Sequence, residues 1–181
     1  MVICESHFEN GKWSEPTIAP FSGKFKDFGL SISPDGNKLF FVSNRPVNGK
    51  PTVDLWMVER KNNAWGEPAN VGEPVNRAVS WELGCSMTKD GTLFFSSTGD
   101  DGNPDIYYSK WVDGKFEAPV RLDANINSEV GETYPAVAPD GSYLVFASTG
   151  RPDAKSDSYP RGDLYVSFFK EIGRASCRER V

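Results

Sequence analysis

The sequence predicts an all-β fold, a β-propeller of four-stranded antiparallel blades, and three observations predict it. A stretch in which Asp-Gly separates two apolar runs occurs three times: SISPDGNKLFFVSNRP at 31–46, CSMTKDGTLFFSST at 85–98 and AVAPDGSYLVFASTGRP at 136–152. Two short apolar runs joined by Asp-Gly signal a β-hairpin, with positive φ at both central residues of a type I′ turn. The hairpin recurs at a near-constant interval, since Asp35, Asp90 and Asp140 stand 55 and 50 residues apart. The composition agrees: 13% aromatic residues with 17 Gly and 13 Pro suits many short strands and tight turns, not a helical bundle. A repeat of this length is one propeller blade.

The rest of each unit repeats as well. Asp54-Leu55-Trp56 answers to Asp105-Ile106-Tyr107 and then to Asp163-Leu164-Tyr165. Trp65 and Pro68 recur as Phe116 and Pro119, and earlier as Trp13 and Pro16. The chain therefore divides into the C-terminal half of a blade (1–26), a blade (27–76), a second blade (77–127) and an incomplete third (128–170). A strand is expected over 2–8, turning at Asn10-Gly11. The first full blade should place strands near 28–33, 38–44, 53–60 and 64–71. Phe40 and Val42 then face one surface and Phe41 and Ser43 the other, by the two-residue period of a strand. Strands near 83–88, 92–97, 105–111 and 115–122 follow in the second blade, and near 134–138, 143–148 and 163–169 in the third. The polar loop 150–162 should lie on the surface.

SPDG followed by KLFF, then DLW and WGEPANVG, resembles the WD40-like PD40 repeat, which builds the TolB-type propeller of bacterial envelope proteins. The resemblance covers nearly all of residues 1–170. It implies a ring of six blades, of which about three are present, and a periplasmic or cell-surface location. Residues 171–181, EIGRASCRERV, break the repeat and resemble the in-frame translation of a sequencing-library adapter. They are read as a non-native tail, and the chain as a fragment.

Charge and cysteine content exclude several functions. A net charge of −5 with no basic stripe argues against nucleic acid. No apolar run is long enough to span a membrane. Without Cys177 in the tail, Cys4 and Cys85 form neither a disulfide framework nor a metal-ligand spacing.

Candidate site residues lie at one repeat position. Eight residues before each turn aspartate stand Asp27, Glu82 and Glu132. If the first strand of a blade is innermost, these carboxylates form part of a ring at one channel mouth, where they would hold a Ca²⁺ or a basic or hydroxylated ligand. The competing reading is that each fixes a turn by accepting backbone N–H bonds. Trp81, outside the repeat pattern like Trp111, stands beside Glu82 and could stack on a sugar or peptide. Asp54, Asp105 and Asp163 read as strand-entry residues bonding nearby amides. Arg161-Gly162-Asp163 resembles an integrin-recognition tripeptide, but its Asp fills a repeat position. Catalysis finds little support. GCSMT at 84–88 lacks the second glycine of a nucleophile elbow, and His7 is the sole histidine. The expected function is a non-catalytic propeller module binding a protein, peptide or glycan, with no cofactor beyond the Ca²⁺ considered. The alternative is the propeller portion of a hydrolase, as a peptidase gate or a glycosidase-like ring, with Glu82 and Glu132 as its carboxylate pair.

Overall fold

Each Asp-Gly repeat folds as a hairpin whose two strands open a blade. The computed structural model describes residues 1–99, 102–152, 162–171 and 174–180, with residues 170, 171 and 174–180 described through their backbone. The loop expected at 150–162, including Arg161, falls largely outside these residues. All strand pairings among the described residues are antiparallel.

The chain opens with β1 (Cys4–Glu5), β2 (Phe8–Glu9), β3 (Lys12–Trp13) and β4 (Thr17–Ile18); β1 pairs with β4 and β2 with β3. The strand expected over 2–8 is thus two shorter pieces. Between them the Ser14 N–H donates to the His7 carbonyl, while Ser6 Oγ donates to the Ser14 carbonyl and the His7 N–H donates to Ser14 Oγ, so side-chain bonds interrupt the ladder. Blade one comprises β5 (Asp27–Ile32), β6 (Lys38–Ser43), β7 (Asp54–Lys61), β8 (Ala64–Trp65) and β9 (Ala69–Asn70). Its sheet runs β5-β6-β7-β9, with β8 folded back on the end of β7. Blade two repeats this with β10 (Glu82–Met87), β11 (Leu93–Ser97), β12 (Asp105–Ser109), β13 (Trp111–Val112), β14 (Lys115–Phe116) and β15 (Val120–Arg121). Its order is β10-β11-β12-β15, with β13 and β14 forming a separate hairpin. Blade three contains β16 (Glu132–Val137), β17 (Tyr143–Ser148), β18 (Asp163–Glu171) and β19 (Arg174–Arg180), in that order. The backbone of β19, inside the tail set aside above, pairs with β18 as the fourth strand. The fold is all-β, an arc of propeller blades.

Two local features differ from expectation. The outer strands expected at 64–71 and 115–122 are each split, because Pro68 and Pro119 have no N–H to give the ladder. The Asp-Gly turns of the repeat are not type I′. Only the glycines have positive φ (Gly36 73°, Gly91 85°, Gly141 73°), and the Gly36 N–H donates to the Ser33 carbonyl at 2.8 Å. That is a type I turn with glycine at its fourth position. Asp35 shapes it by accepting from Ser33 Oγ and the Asn37 N–H, and these bonds hold its carboxyl below the usual range. The Asp90 and Asp140 carboxyls are lowered in the same way, by Thr88 and Ser142. Positive φ at both central residues occurs instead at Asn10-Gly11, Asn62-Asn63 and Asp113-Gly114, the turns between the outer strands, and at Asn48-Gly49 between β6 and β7.

The core lies between blades. Leu39 and Phe41 pack with Ile3, Ala19 and Phe21 of the preceding half-blade, whereas Phe40, Val42 and Leu55 pack with Leu93 and Phe95 of blade two. Phe94 and Ile106 of blade two then meet Leu144, Phe146 and Tyr165 of blade three. The alternation read along β6 is therefore the alternation between two blade interfaces. Backbone bonds tie the blades too: the Glu82 N–H donates to the Val53 carbonyl and the Glu132 N–H to the Pro104 carbonyl.

Candidate functional site

Each inner strand begins with one of the repeat carboxylates, and all three side chains turn inward. Asp27, Glu82 and Glu132 are 0–1% exposed. The expectation of an open ring at a channel mouth differs from this geometry. A carboxylate in so dry a place needs partners, and the blade supplies them.

In blade three, Glu132 Oε1 accepts from Ser128 Oγ at 2.7 Å, Ser148 Oγ at 2.8 Å and Arg151 Nη2 at 2.7 Å, while Oε2 accepts from the Ser128 N–H at 2.9 Å. Arg151 is itself buried; its Nε donates to Ser148 Oγ and its Nη2 to the Ile126 carbonyl. Blade one repeats the arrangement. Asp27 accepts from Ser22 Oγ at 2.6 Å, Ser43 Oγ at 2.7 Å and Arg45 Nη1 at 2.5 Å, and Arg45 also donates to the Phe21 carbonyl. The guanidinium thus joins the start of the inner strand, the end of the second strand and the loop arriving from the previous blade. We call this a clasp. The competing reading foresaw local fixing by backbone amides, whereas the partners here are chiefly hydroxyls and a guanidinium.

Blade two departs from the pattern. Glu82 Oε1 accepts from Ser80 Oγ at 2.7 Å and Ser97 Oγ at 3.1 Å, but Oε2 is buried with no hydrogen-bond partner among the described residues. Burial pushes this carboxyl up to about 7, with the Asp54 charge adding to the shift and the serines and Arg77 opposing it.

The described residues contain no group of three or more His, Cys, Asp or Glu side chains placed to share a metal ion. Asp27, Glu82 and Glu132 sit in separate clasps. Trp81 parts from its neighbour: the carboxylate of Glu82 is sequestered, whereas the Trp81 side chain is 60% exposed, beside Val79 at 76%. The two border an open cleft of about 350 Å³ with Thr98, Gly99 and Gly102. The Thr98 N–H donates to the Trp81 carbonyl and the Trp81 N–H to Thr98 Oγ1, which holds this shelf at the edge of β10 and β11. At the opposite end of the blades, a cleft of about 370 Å³ opens between blades one and two, with Phe40, Met57, Met87, Trp111 and Phe116 among its walls. Trp111 meets Phe116 edge to face, which is the role of this second tryptophan outside the repeat.

Other repeat residues are structural. Asp54 accepts from Asn70 Nδ2, and Asp105 accepts two bonds from the Arg121 guanidinium, so these aspartates tie the third strand to the fourth; the expected backbone amides are not the partners shown. Asn76 and Asn127, which the sequence reading passed over, stand at equivalent positions. Asn127 accepts from the Ile106 N–H and donates to the Ile106 and Leu122 carbonyls; Asn76 does the same for both backbone groups of Leu55. Their signal was the spacing from the clasp carboxylate, six residues before Glu82 and five before Glu132. Asn127→Ala is expected to lower unfolding free energy by at least about 2 kcal/mol in urea titrations, because buried backbone groups lose their partners. His7 lies exposed on the opening hairpin, joined to Ser14 through its backbone.

No protein-family model matches the sequence, and no curated protein matches it. Solved structures do. A structure assigned to TolB from Agrobacterium tumefaciens aligns with a TM-score of 0.60 at 19% identity, over 98% of this chain and 59% of that one. A puromycin-hydrolyzing peptidase of Mycobacterium tuberculosis aligns with a TM-score of 0.57 at 15% identity, over 97% of this chain and 24% of that one. The chain thus spans less than two thirds of each. The shared feature is the TolB-like propeller fold.

Proposed function

We propose that this chain is part of a PD40-type propeller that acts as a binding module for a protein or peptide at the bacterial envelope. The observation that carries the reading is the split between Glu82 and Trp81. The carboxylates that repeat are buried inside the blades, and what blade two offers to solvent is an indole and a valine beside a cleft. Exposed aromatic surface next to a concavity is what interface anchors look like. The likeness to a TolB structure over nearly the whole chain agrees with this use of the fold. The hydrolase reading has less support, since Glu132 is buried and ion-paired instead of free to act on a substrate.

The test is selection of peptides from a displayed library on the purified chain, followed by affinity measurement. Trp81→Ala is expected to weaken the selected peptides about tenfold or more while leaving the melting temperature unchanged, because the side chain is exposed. Peptides indifferent to Trp81→Ala, or turnover of peptide or glycoside substrates, would contradict the proposal. Competition by oligosaccharides instead of peptides would move the ligand class to glycans.

A further inference from the structure

The clasp of blade two is built for a guanidinium that its own loop does not supply. In blades one and three the arginine fits a pocket of four repeat positions in addition to the carboxylate. These are a residue of the incoming loop whose carbonyl accepts from it (Phe21, Ile126), a serine (Ser43, Ser148) and two rings on adjacent strands. The Arg45 guanidinium carbon lies 5.0 Å from the Phe41 ring centre and 5.6 Å from that of Trp56. For Arg151 the distances are 5.4 Å to Phe146 and 5.0 Å to Tyr165.

Blade two keeps every one of these partners. Val75, Ser97, Phe95 and Tyr107 occupy the four positions, Glu82 supplies the carboxylate, and the Phe95 and Tyr107 rings lie stacked with centroids 5.9 Å apart. The sequence changes at one point. Ser148-Thr149-Gly150 leads to Arg151, whereas Ser97-Thr98-Gly99 leads to Asp100, which lies outside the described residues. A cavity of about 70 Å³ is found here, lined by Val75, Arg77, Phe95, Ser97, Tyr107 and Pro119. Four of these six residues are the counterparts of the arginine's neighbours in the sister blades. Arg77 lies 5.9 Å over the Tyr107 ring, but it does not close the clasp. Its Nη2 and Glu82 Oε2 are both buried without a hydrogen-bond partner among the described residues.

We propose that the cavity of blade two is a recognition slot for a guanidinium group, carried into it on the arginine side chain of a partner. A planar cation suits a place over the stacked Phe95 and Tyr107 rings, beside the Ser97 hydroxyl, better than a round ammonium does. The small volume takes a head group on a stem, not a whole amino acid. The acidic setting favours a cation, since the Asp54 charge acts on Glu82. Arg77, which is half-buried, competes with the incoming group. This deepens the binding reading above and rests on it for the source of the arginine, though not for the slot itself.

The experiment is titration of the chain with methylguanidinium and, separately, methylammonium, following the aromatic NMR signals of Phe95 and Tyr107. Saturable shifts are expected with methylguanidinium and a response about tenfold weaker with methylammonium. Asp100→Arg, which supplies the group from within, should abolish the response, as should Glu82→Gln; Arg77→Ala should strengthen it. Equal responses to the two cations overturn the proposal. So does saturation that persists in Glu82→Gln or in a folded Asp100→Arg chain, or a lack of response in both the native chain and Arg77→Ala. The probe needs no partner, so its failure leaves the Trp81 binding test untouched.

Discussion

Glu132→Gln is expected to destabilise the chain by about 3–5 kcal/mol, read as the change in urea unfolding free energy. The glutamine can still receive the serine hydroxyls, but it leaves the Arg151 guanidinium buried without a counter-charge. The Arg151 side chain is 2% exposed and that of Glu132 is 0% exposed, so water does not take over. Breaking one partner of such a pair costs far more than the pair is worth over an apolar replacement, because the remaining charge keeps its desolvation penalty. The loss should be insensitive to salt, since screening acts on exposed charges. An exposed pair such as Lys38–Glu59, with partners 31% and 44% exposed, should change stability by less than about 1 kcal/mol when broken.

The equivalent substitution in blade two should have the opposite sign. Burial raises the Glu82 carboxyl to about 7 from 4.5, so the folded chain binds this proton more tightly than the unfolded one. The stabilisation from the protonated group is complete below about pH 4.5 and is lost as pH rises towards 7. At about 1.4 kcal/mol per unit, the loss is roughly 3 kcal/mol. Glu82→Gln removes it: the variant should match the native chain near pH 4.5 and exceed it by up to about 3 kcal/mol at pH 8. The turn carboxylates do not blur this window. Asp35, Asp90 and Asp140 are shifted downward from 3.8, so their contributions fade only as pH falls below the range in which Glu82 titrates. Urea midpoints at pH 5 and pH 8 for both chains provide the check, and a native chain equally stable at the two would contradict it.

The repeat period and the two-faced alternation of Phe40 and Phe41 were legible in the sequence because they follow from spacing and the two-residue strand period. Turn type was not. Asp-Gly suits both a type I′ turn and a type I turn ending in glycine, and Ser33, bonding Asp35 and Lys38, selects the latter. The position of the acidic residues was legible, their role less so. A carboxylate at a strand start looks alike whether it opens to a channel or turns inward. The distinction lay 18 and 19 residues away, in the arginines of SNRP and STGRP. These arginines are part of the repeated motif itself, and a charge matched to Asp27 and to Glu132 at nearly the same distance would have identified the clasp. In the same comparison Asp100 stands in the sequence where blade three has Arg151.

The most direct test of the claim that these carboxylates hold blades together is a double-mutant cycle on Glu132→Gln and Arg151→Met, measured by urea unfolding. A buried clasp predicts strong coupling: the double variant should be about 2–3 kcal/mol more stable than the sum of the single losses implies, since removing both charges leaves none stranded. Additivity within about 0.5 kcal/mol would mean that the two side chains do not rely on each other, and would contradict the clasp.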